Sequence, residues 1–459
     1  MIHAFKYLHK GKVYYFLWDI ESGSLHNVDD VAFLCAKKRF LTLDAGELAA
    51  YGRIEPALRR EAEEELEELC ALGALNAPPQ IKAFRKQARE VKAMCLHICH
   101  DCNLQCDYCF ADGGTYHTQG QYMSAAVGKR AIDFLIASSG SRHNLEVDFF
   151  GGEPLMNLGV VKEIVDYAKA RAKEEGKAFT FTMTTNCLLL NEDTARWLNE
   201  EMDNVVLSID GRKSVHNCVR HAKNGKDVYD TVLGNALRFR AIRGDKRYYV
   251  RGTFTARNLD FASDIFCLND LGFDQISVEP VVLPADHPLH LSEEHLARIT
   301  EEYDRLAEGY LERRKGEKWF NFFHFMIDLR HGPCVNKRLT GCGAGTEYLA
   351  VSPMGDLYPC HQFVGEAEYY IGNVFEGILH QDVRERFASV TVLAKAHCAE
   401  CPAKYYCGGG CAANAKNFAG KIDGQYKIGC DLTVKRLENS LAIAFLEADA
   451  DAIGEELPE

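Results

Sequence analysis

The chain has 459 residues, of which 47% are hydrophobic and 26% are charged, and its formal net charge is −13. This composition is typical of a globular protein with more than one hydrophobic core, and the acidic balance excludes a general affinity for nucleic acid or anionic membrane surfaces, because both require clustered Lys and Arg. No signal-peptide pattern or bilayer-spanning run of roughly 20 apolar residues is found, so the sequence predicts a cytoplasmic protein with no membrane or nucleic-acid partner.

Residues 1–85 form the first predicted domain. Two strand-like runs, Val13–Asp19 and Leu25–Val28, flank a polar, glycine-containing turn and predict a β-hairpin. Helical patterns follow until the prolines of residues 77–80, which end helices and stiffen the chain as a linker does. We therefore predict a small winged-helix-like domain, separate from the rest of the chain.

Residues 86–318 contain six strand-like runs, each followed by a helical pattern. This alternation predicts an α/β fold with a parallel sheet. Only six strands fit before Pro280 and the long polar helix near residues 293–315, so we predict a partial (β/α)6 TIM-like barrel, whose chemistry lies on the loops at the C-terminal ends of the strands. The six runs are Met94–Cys99, Leu145–Phe150, Phe179–Thr185, Asn204–Ile209, Tyr248–Thr255 and Asp274–Glu279.

The loop after the first of these strands carries the most informative motif, because Cys102, Cys106 and Cys109 follow a C-x3-C-x2-C spacing. Cysteines in a reducing compartment bind metals or clusters more often than they form disulfides. A closed site takes four protein ligands, so three predict a [4Fe-4S] cluster with one iron open to an outside ligand. Cys95 and Cys99 also fit the spacing with Cys102, but they lie about 13 Å apart along a strand and are predicted to be packing residues.

Glycine and polar residues follow the next strands. Gly151 and Gly152 permit close backbone approach to a ligand, and the Glu153 carboxylate is suited to accept hydrogen bonds from an ammonium group. Hydroxyl groups on the following strands are suited to a ribose, and the Arg220 guanidinium is suited to a carboxylate. The predicted cofactor contacts are Gly151, Gly152, Glu153, Thr185, Asn186, Ser208, Asp210 and Arg220. Further pocket candidates, each equally compatible with a structural role, are Glu279, Tyr348, His324, Asp328 and Arg251.

Residues 319–459 form a third predicted domain that is rich in cysteine and glycine. Four of its cysteines follow a C-x2-C-x5-C-x3-C spacing, which favours cluster ligation over core packing. Zinc is the alternative metal, because C-x2-C pairs also occur in zinc ribbons. Besides Cys334, this domain has an array of seven cysteines, which are Cys342, Cys360, Cys398, Cys401, Cys407, Cys411 and Cys430.

The motifs C-N-L-Q-C-D-Y-C-F, G-G-E-P, T-T-N and S-I-D-G together resemble the radical S-adenosylmethionine (SAM) enzymes of the peptide-maturase branch. The resemblance implies that SAM binds the open iron of the cluster. It also implies that Gly152 and Glu153 hold the amino group of SAM, Ser208 its ribose and Arg220 its carboxylate. One departure is Cys187, where such sequences usually carry glycine.

The C-terminal array resembles the SPASM domain, which implies two auxiliary [4Fe-4S] clusters and three clusters in all. Two fully ligated clusters need eight cysteines, one more than the array supplies. Either Cys334 provides the missing ligand, or the first auxiliary cluster keeps an open iron for a substrate thiolate. The resemblance assigns Cys342, Cys360 and Cys411 to the first auxiliary cluster, and Cys398, Cys401, Cys407 and Cys430 to the second.

Longer stretches, among them N-L-E-V-D-F-F-G-G-E-P-L-M and G-T-E-Y-L-A-V-S-P, resemble the maturases of SCIFF peptides, which have six cysteines in forty-five residues. This resemblance implies an oxidoreductase that forms intramolecular thioethers, from a cysteine sulfur to a carbon, through a 5'-deoxyadenosyl radical. The products are ribosomally made, post-translationally modified peptides of the sactipeptide or ranthipeptide kind.

The same resemblance implies two partners. The N-terminal domain would bind the leader of a cysteine-rich precursor peptide as an added strand, and a reductant such as flavodoxin or ferredoxin would supply electrons. An anaerobic sulfatase-type maturase that oxidises Cys or Ser is the alternative enzyme. An iron-sulfur electron carrier or a zinc scaffold is the alternative without catalysis.

Overall fold

The computed structural model describes residues 1–87, 90–118, 120–328 and 334–453. Its N-terminal part is an antiparallel three-stranded sheet followed by three helices. The elements are β1 (Ile2–His9), β2 (Lys12–Asp19), β3 (Leu25–Val28), α1 (Asp30–Phe40), α2 (Ala45–Arg53) and α3 (Pro56–Ala71). The predicted hairpin is confirmed by the pairing of β2 with β3, and the structure adds β1, which pairs with β2 along its whole length.

Both faces of the N-terminal sheet are covered. Phe16 and Trp18 point to one face and join the main hydrophobic core of the protein, while Leu17 points to the other and packs in a second core with Phe33 of α1. Successive side chains of a strand point to opposite faces, so a strand buried on both faces reads as a continuous apolar run. The sheet is therefore an integral layer between its own helices and the rest of the chain.

The central part alternates strands and helices as the sequence predicts. Its elements are β4 (Ala93–Cys99), β5 (Leu104–Cys106), α4 (Ala125–Ser138), β6 (Asn144–Gly151), α5 (Leu158–Glu175), β7 (Ala178–Thr185), α6 (Glu192–Glu201), β8 (Asn204–Ser208), α7 (Lys213–Val219), β9 (Arg220–Ala222), α8 (Tyr229–Arg243), β10 (Tyr248–Phe254), α9 (Phe261–Asp270), β11 (Gln275–Pro280), α10 (Leu296–Arg314) and β12 (Asn321–Phe322). All six predicted strands form, and they lie side by side and parallel in the order β4-β6-β7-β8-β10-β11.

The C-terminal part consists of short elements and one long helix. They are α11 (Val335–Thr340), β13 (Tyr348–Val351), β14 (Asp356–Tyr358), β15 (Gly372–Asn373), β16 (Gly377–Ile378), α12 (Gln381–Ser389), α13 (Lys404–Cys407), α14 (Ala412–Ala419) and α15 (Lys427–Ile453). Strand β13 pairs in parallel with β4, so that Tyr348 lies opposite Ala93, and β14 to β16 continue the same sheet in antiparallel fashion. The C-terminal part thus extends the sheet beside the strand that leads into the cysteine loop.

Cys95 and Cys99 both lie in β4 and are almost completely buried. The prediction that they pack in the strand is therefore confirmed, as expected of free cysteines that behave as small hydrophobic residues. Among the described residues, no helix is both long enough and apolar enough to cross a bilayer.

Candidate functional site

A cavity of about 500 Å³ opens at the C-terminal ends of the parallel strands, within the size range of small-molecule and cofactor sites. One wall comes from the loops after β4, β6, β7 and β8, and it includes Cys102, Cys106 and Cys109. The C-terminal part contributes Cys407, Cys411 and Cys430 to the lining of the same cavity. The cavity is therefore lined by both cysteine-rich regions of the chain.

The cysteine loop is held in place by a short strand pair, in which Cys106 of β5 lies opposite Arg220 of β9. The Cys102 sulfur accepts hydrogen bonds from the backbone N–H of Leu104 (3.4 Å) and from the Asn186 amide (3.6 Å). Burial raises the pKa of Cys102 to about 12, and the charges of Glu153 and the two neighbouring thiols add to the shift. A metal must displace these thiol protons, and the N–H groups at Cys102 are suited to stabilise the resulting thiolate.

The three cysteine thiols of this loop fit an iron-sulfur cluster. In the described part of the chain, no three His, Cys, Asp or Glu side chains lie close enough together to hold a single metal ion. A cluster spreads its ligands, because each thiolate binds a different iron, and its potential is set in part by hydrogen bonds to sulfur. The three cysteines line one cavity, and Cys102 accepts hydrogen bonds of this kind, so the loop fits both requirements.

The two glycines after β6 allow the end of this strand to approach the backbone of the cysteine loop. A Cβ atom at Gly152 would lie 1.8 Å from the carbonyl oxygen of Asp101, and one at Gly151 would lie 2.4 Å from that of Cys99. Gly152 and Glu153 donate backbone hydrogen bonds to these same two carbonyls, at 2.9 Å each. The close backbone approach predicted here thus takes place against the loop itself, next to the cavity.

Glu153 is the centre of a buried hydrogen-bond network on the cavity wall. Its carboxylate accepts hydrogen bonds from the Asn186 backbone N–H (2.7 Å), the Thr185 hydroxyl (2.8 Å) and the Leu155 backbone N–H (3.1 Å). Burial nevertheless raises the pKa of Glu153 to about 7. The structure therefore brings three of the predicted cofactor residues, Glu153, Thr185 and Asn186, together. A cation near the Glu153 carboxyl group would favour its charged form.

Arg220 also lines the cavity, together with Ser208. Its guanidinium donates to the fully buried Asp210 carboxylate at 2.8 and 3.2 Å. Asp210 accepts further hydrogen bonds from the Tyr108 hydroxyl (2.7 Å) and the Thr253 backbone N–H (2.9 Å). Asp210, predicted as a cofactor contact, is not among the described lining residues, and it acts on the cavity through Arg220.

Three charged side chains, Arg251, Glu279 and Arg436, line another part of the cavity, while His324, which contacts Glu279, is not among the described lining residues. Glu279, at the end of β11, lies 3.1 Å from His324 and 3.6 Å from Arg436 of α15. Burial opposes ionisation, but these neighbours and Arg251 hold the pKa of Glu279 well below its usual range. Sequence reasoning named Glu279, His324 and Arg251 but missed Arg436, because a single arginine on a long helix carries no motif.

Tyr348 and Asp328 are not among the described residues that line the cavity. Tyr348 lies in β13, and burial, followed by the charge of Cys95, raises its pKa. Tyr108 was also missed as a site residue, although it lies within the cysteine motif. Its position between two cysteines was the only available signal.

The seven C-terminal cysteines lie in two groups. Burial, followed by the nearby thiols Cys411 and Cys342, raises the pKa of Cys360. Burial also raises the pKa of Cys398 to about 12, and the thiols of the second group add to the shift. Cys334 is exposed at the start of α11 and Cys342 follows the end of that helix. The second group consists of Cys398, Cys401, Cys407 and Cys430.

Comparison with protein families identifies both cysteine-rich regions. Residues 91–226 match a 4Fe-4S single cluster domain, and residues 342–402 match the SPASM iron-sulfur cluster-binding domain. The radical SAM cyclopropyl synthase TigE of Paramaledivibacter caminithermalis is 23% identical over 78% of this chain and 77% of that protein. A cysteine-type anaerobic sulfatase-maturating enzyme of Clostridium novyi is 25% identical over 69% of this chain and 87% of that enzyme.

Two solved structures show the same fold. Native anSMEcpe with bound AdoMet and the Kp18Cys peptide superposes with a TM-score of 0.63 at 17% identity, over 78% of this chain and 98% of that chain. SuiB of Streptococcus suis bound to the precursor peptide SuiA superposes with a TM-score of 0.50 at 14% identity, over 94% of this chain and 100% of that chain. By its two family matches and its relatives, the chain is similar to the radical SAM enzymes that carry a SPASM domain.

Proposed function

We propose that this enzyme joins a cysteine sulfur to a carbon atom within a ribosomally made precursor peptide. The observation that carries the proposal is the lining of the cavity, which includes both the loop cysteines and Cys407, Cys411 and Cys430. In this proposal, a group that delivers an electron and a group that takes one back share the same space. That arrangement suits an oxidation of the substrate without an added oxidant.

In this proposal the sheet from β4 to β11 acts as a partial (β/α)6 barrel that carries the SAM site on its C-terminal edge. The cluster and SAM, when bound, supply a 5'-deoxyadenosyl radical that removes a hydrogen atom from the acceptor carbon. Glu153 binds the ammonium group of SAM, Ser208 its ribose and Arg220 its carboxylate. As the C–S bond forms, the thiol loses its proton and one electron is released, which a bound auxiliary cluster would accept, so that the peptide loses two hydrogens per bond.

The C-terminal cysteines hold two auxiliary [4Fe-4S] clusters in this proposal. Cys342, Cys360 and Cys411 bind the first, with either Cys334 or a substrate thiolate as its fourth ligand, and the four cysteines from Cys398 to Cys430 bind the second. A flavodoxin or ferredoxin supplies the electron for SAM cleavage.

The winged-helix-like N-terminal domain binds the peptide leader in this proposal. Strand β3 lies at an edge of its sheet and, among the described residues, pairs only with β2. An exposed edge strand accepts an extended peptide as a further strand, held by main-chain hydrogen bonds. The solved SuiB complex, by its name, contains a precursor peptide, which favours a peptide as the substrate here.

Mass spectrometry of a cysteine-rich precursor peptide co-expressed with the enzyme tests the proposed function. Each thioether is expected to lower the peptide mass by two hydrogens and to resist reduction and alkylation. The Cys102→Ala enzyme is the matched control and is expected to leave the peptide unchanged. A peptide whose cysteines all remain free to alkylate would contradict thioether formation.

A second candidate is an anaerobic sulfatase-type maturase, which is favoured by the 25% identity to the Clostridium novyi enzyme. Its product carries an aldehyde in place of a Cys or Ser side chain. A hydrazide probe labels this product and leaves a thioether unlabelled, so the same peptide sample decides between the two reactions.

The affinity for SAM is expected to rise with pH below about 7. The pKa of Glu153 is raised to about 7 by burial, so below this pH the neutral acid dominates and must lose its proton to pair with an ammonium group. Between about pH 5.5 and 7 the SAM α-amino group stays charged, and the affinity is expected to increase by up to about tenfold per pH unit, with a slope that flattens as the pH approaches the pKa of Glu153. Anaerobic calorimetry checks this slope, and the Glu153→Gln enzyme is expected to show a flat profile.

A further inference from the structure

The turn between β2 and β3 of the N-terminal sheet contacts the segment that carries a C-terminal cysteine. The Lys404 ammonium donates to one oxygen of the Glu21 carboxylate at 2.5 Å, and the Tyr405 hydroxyl donates to the other at 2.9 Å. The rings of Trp18 and Tyr406 are in contact, with centroids 6.2 Å apart. Three consecutive residues that precede Cys407 thus all contact strand β2 or the turn that follows it.

The ion pair is buried on both sides. Only 1% of the Glu21 side chain and 6% of the Lys404 side chain are exposed. A buried pair of this kind is costly to break, because the remaining partner becomes an unpaired charge in a region of low dielectric. The contact is therefore rigid compared with the surface ion pairs of the molecule.

Both ends of the contact are themselves fixed. Asp19 accepts hydrogen bonds from the backbone N–H groups of Glu21 (3.0 Å) and Ser22 (2.9 Å), which hold the turn in shape. On the other side, the Lys404 backbone N–H donates to the Cys401 carbonyl at 3.2 Å, and the Cys407 N–H donates to the Ala403 carbonyl at 2.8 Å. A displacement of Lys404 would therefore be transmitted to Cys401 and Cys407 together.

The same sheet also contacts the helix that carries the last cysteine. His3 of β1 lies 2.8 Å from Glu438, and the ring of Phe16 packs edge-on against Phe445 at 5.3 Å between centroids. Both partners lie on α15, whose first turn contains Cys430. The N-terminal sheet thus supports two separate elements of the second cysteine group.

We propose that Glu21 is a positioning residue for the second cysteine group, so that the N-terminal domain is required to hold that cluster as well as to bind a peptide. The inference rests on the proposed function only in taking this group as a cluster site. Glu21 touches no reacting atom; it fixes the backbone from which Cys401 and Cys407 extend. The reduction potential of a cluster depends on its hydrogen bonds and solvent exposure, so a looser segment changes the cluster as well as the fold.

Hydrogen exchange of the cluster-free protein tests the positioning role directly. The Glu21→Gln variant keeps the size of the side chain and removes its charge, and we expect the amides of Lys404 to Cys407 to exchange at least about tenfold faster. The matched control is Glu47→Gln, because Glu47 also pairs with a lysine, Lys37, at 2.5 Å, but within the N-terminal domain. The control is expected to leave exchange at Lys404 to Cys407 unchanged.

The reconstituted protein gives the second readout. Chelator-driven loss of iron from the second cysteine group is expected to be several-fold faster in Glu21→Gln than in Glu47→Gln, with a shift of one auxiliary signal in an EPR-monitored redox titration. Tyr405→Phe removes one hydrogen bond and no charge, so it is expected to accelerate the same exchange by about fivefold. If Glu21→Gln fails to fold, exchange in the Tyr405→Phe variant tests the positioning role in its place.

Equal exchange in the Glu21→Gln, Tyr405→Phe and wild-type proteins would overturn the positioning role. A difference in exchange without any iron at the second cysteine group would contradict the proposed auxiliary cluster and still support the role of Glu21. The two hypotheses therefore fail through different measurements.

Discussion

Replacing Cys106 by alanine is expected to reduce the reductive cleavage of SAM to background and to lower the iron content by about four atoms per chain. Three thiolates are the minimum that leaves one iron of a [4Fe-4S] cluster open, and the loop cysteines line the cavity together. Loss of one ligand removes the cluster rather than weakening it. Anaerobic reconstitution, iron analysis and chromatographic detection of 5'-deoxyadenosine measure the effect.

The matched control is Cys95→Ala, which alters the overlapping trio of the same spacing. Cys95 is buried in β4, so its truncation is expected to cost stability and to leave iron content and SAM cleavage per folded molecule unchanged. If the Cys106→Ala enzyme still cleaves SAM, or if folded Cys95→Ala no longer does, the cluster ligands have been assigned to the wrong trio of cysteines.

Asp210→Asn is expected to destabilise the protein by about 3–5 kcal/mol. Asp210 is fully buried and pairs with Arg220, whose side chain is only 11% exposed. The substitution leaves the guanidinium buried without an opposite charge. Thermal unfolding followed by circular dichroism measures the loss, which is expected to exceed that of Glu192→Gln, because the Glu192–Arg196 pair is exposed and such pairs contribute little.

A double variant separates the charge from the packing. Asp210→Asn combined with Arg220→Met removes both charges, and it is expected to recover part of the stability, because no unpaired charge remains. Burial opposes ionisation, but Arg220 lowers the pKa of Asp210 below its usual value. The contribution of the pair is therefore present near neutral pH and is lost as the pH falls below about 4. A double variant less stable than Asp210→Asn would contradict this account.

The parallel strands and the cysteine loop were predictable because their signals are local. Apolar runs bounded by glycine and polar residues indicate strands, and cysteine spacing is read directly from the chain. Strand β1 was missed because Lys6 and two histidines interrupt its apolar pattern. The Arg436 and Glu21 contacts join residues that are distant in sequence, and no local pattern indicates which distant residues will meet.

Cys187 occupies a turn whose backbone conformation favours glycine. Its backbone has φ of 65°, in the left-handed region that favours glycine. The conformation is maintained because the Thr185 hydroxyl accepts from the Cys187 N–H (3.1 Å) and the Asn235 amide donates to its carbonyl (2.8 Å). The sequence pattern marks the departure at Cys187, and the structure shows the turn that this residue occupies.

The pairing of β13 with β4 has a consequence for biosynthesis. During translation, β4 leaves the ribosome long before β13. The edge of β4 that pairs with β13 therefore stays unpaired until most of the polypeptide has been translated. Distant pairings form slowly, and unpaired strand edges promote self-association. Nascent chains that stall or terminate before β13 are therefore the ones most exposed to aggregation.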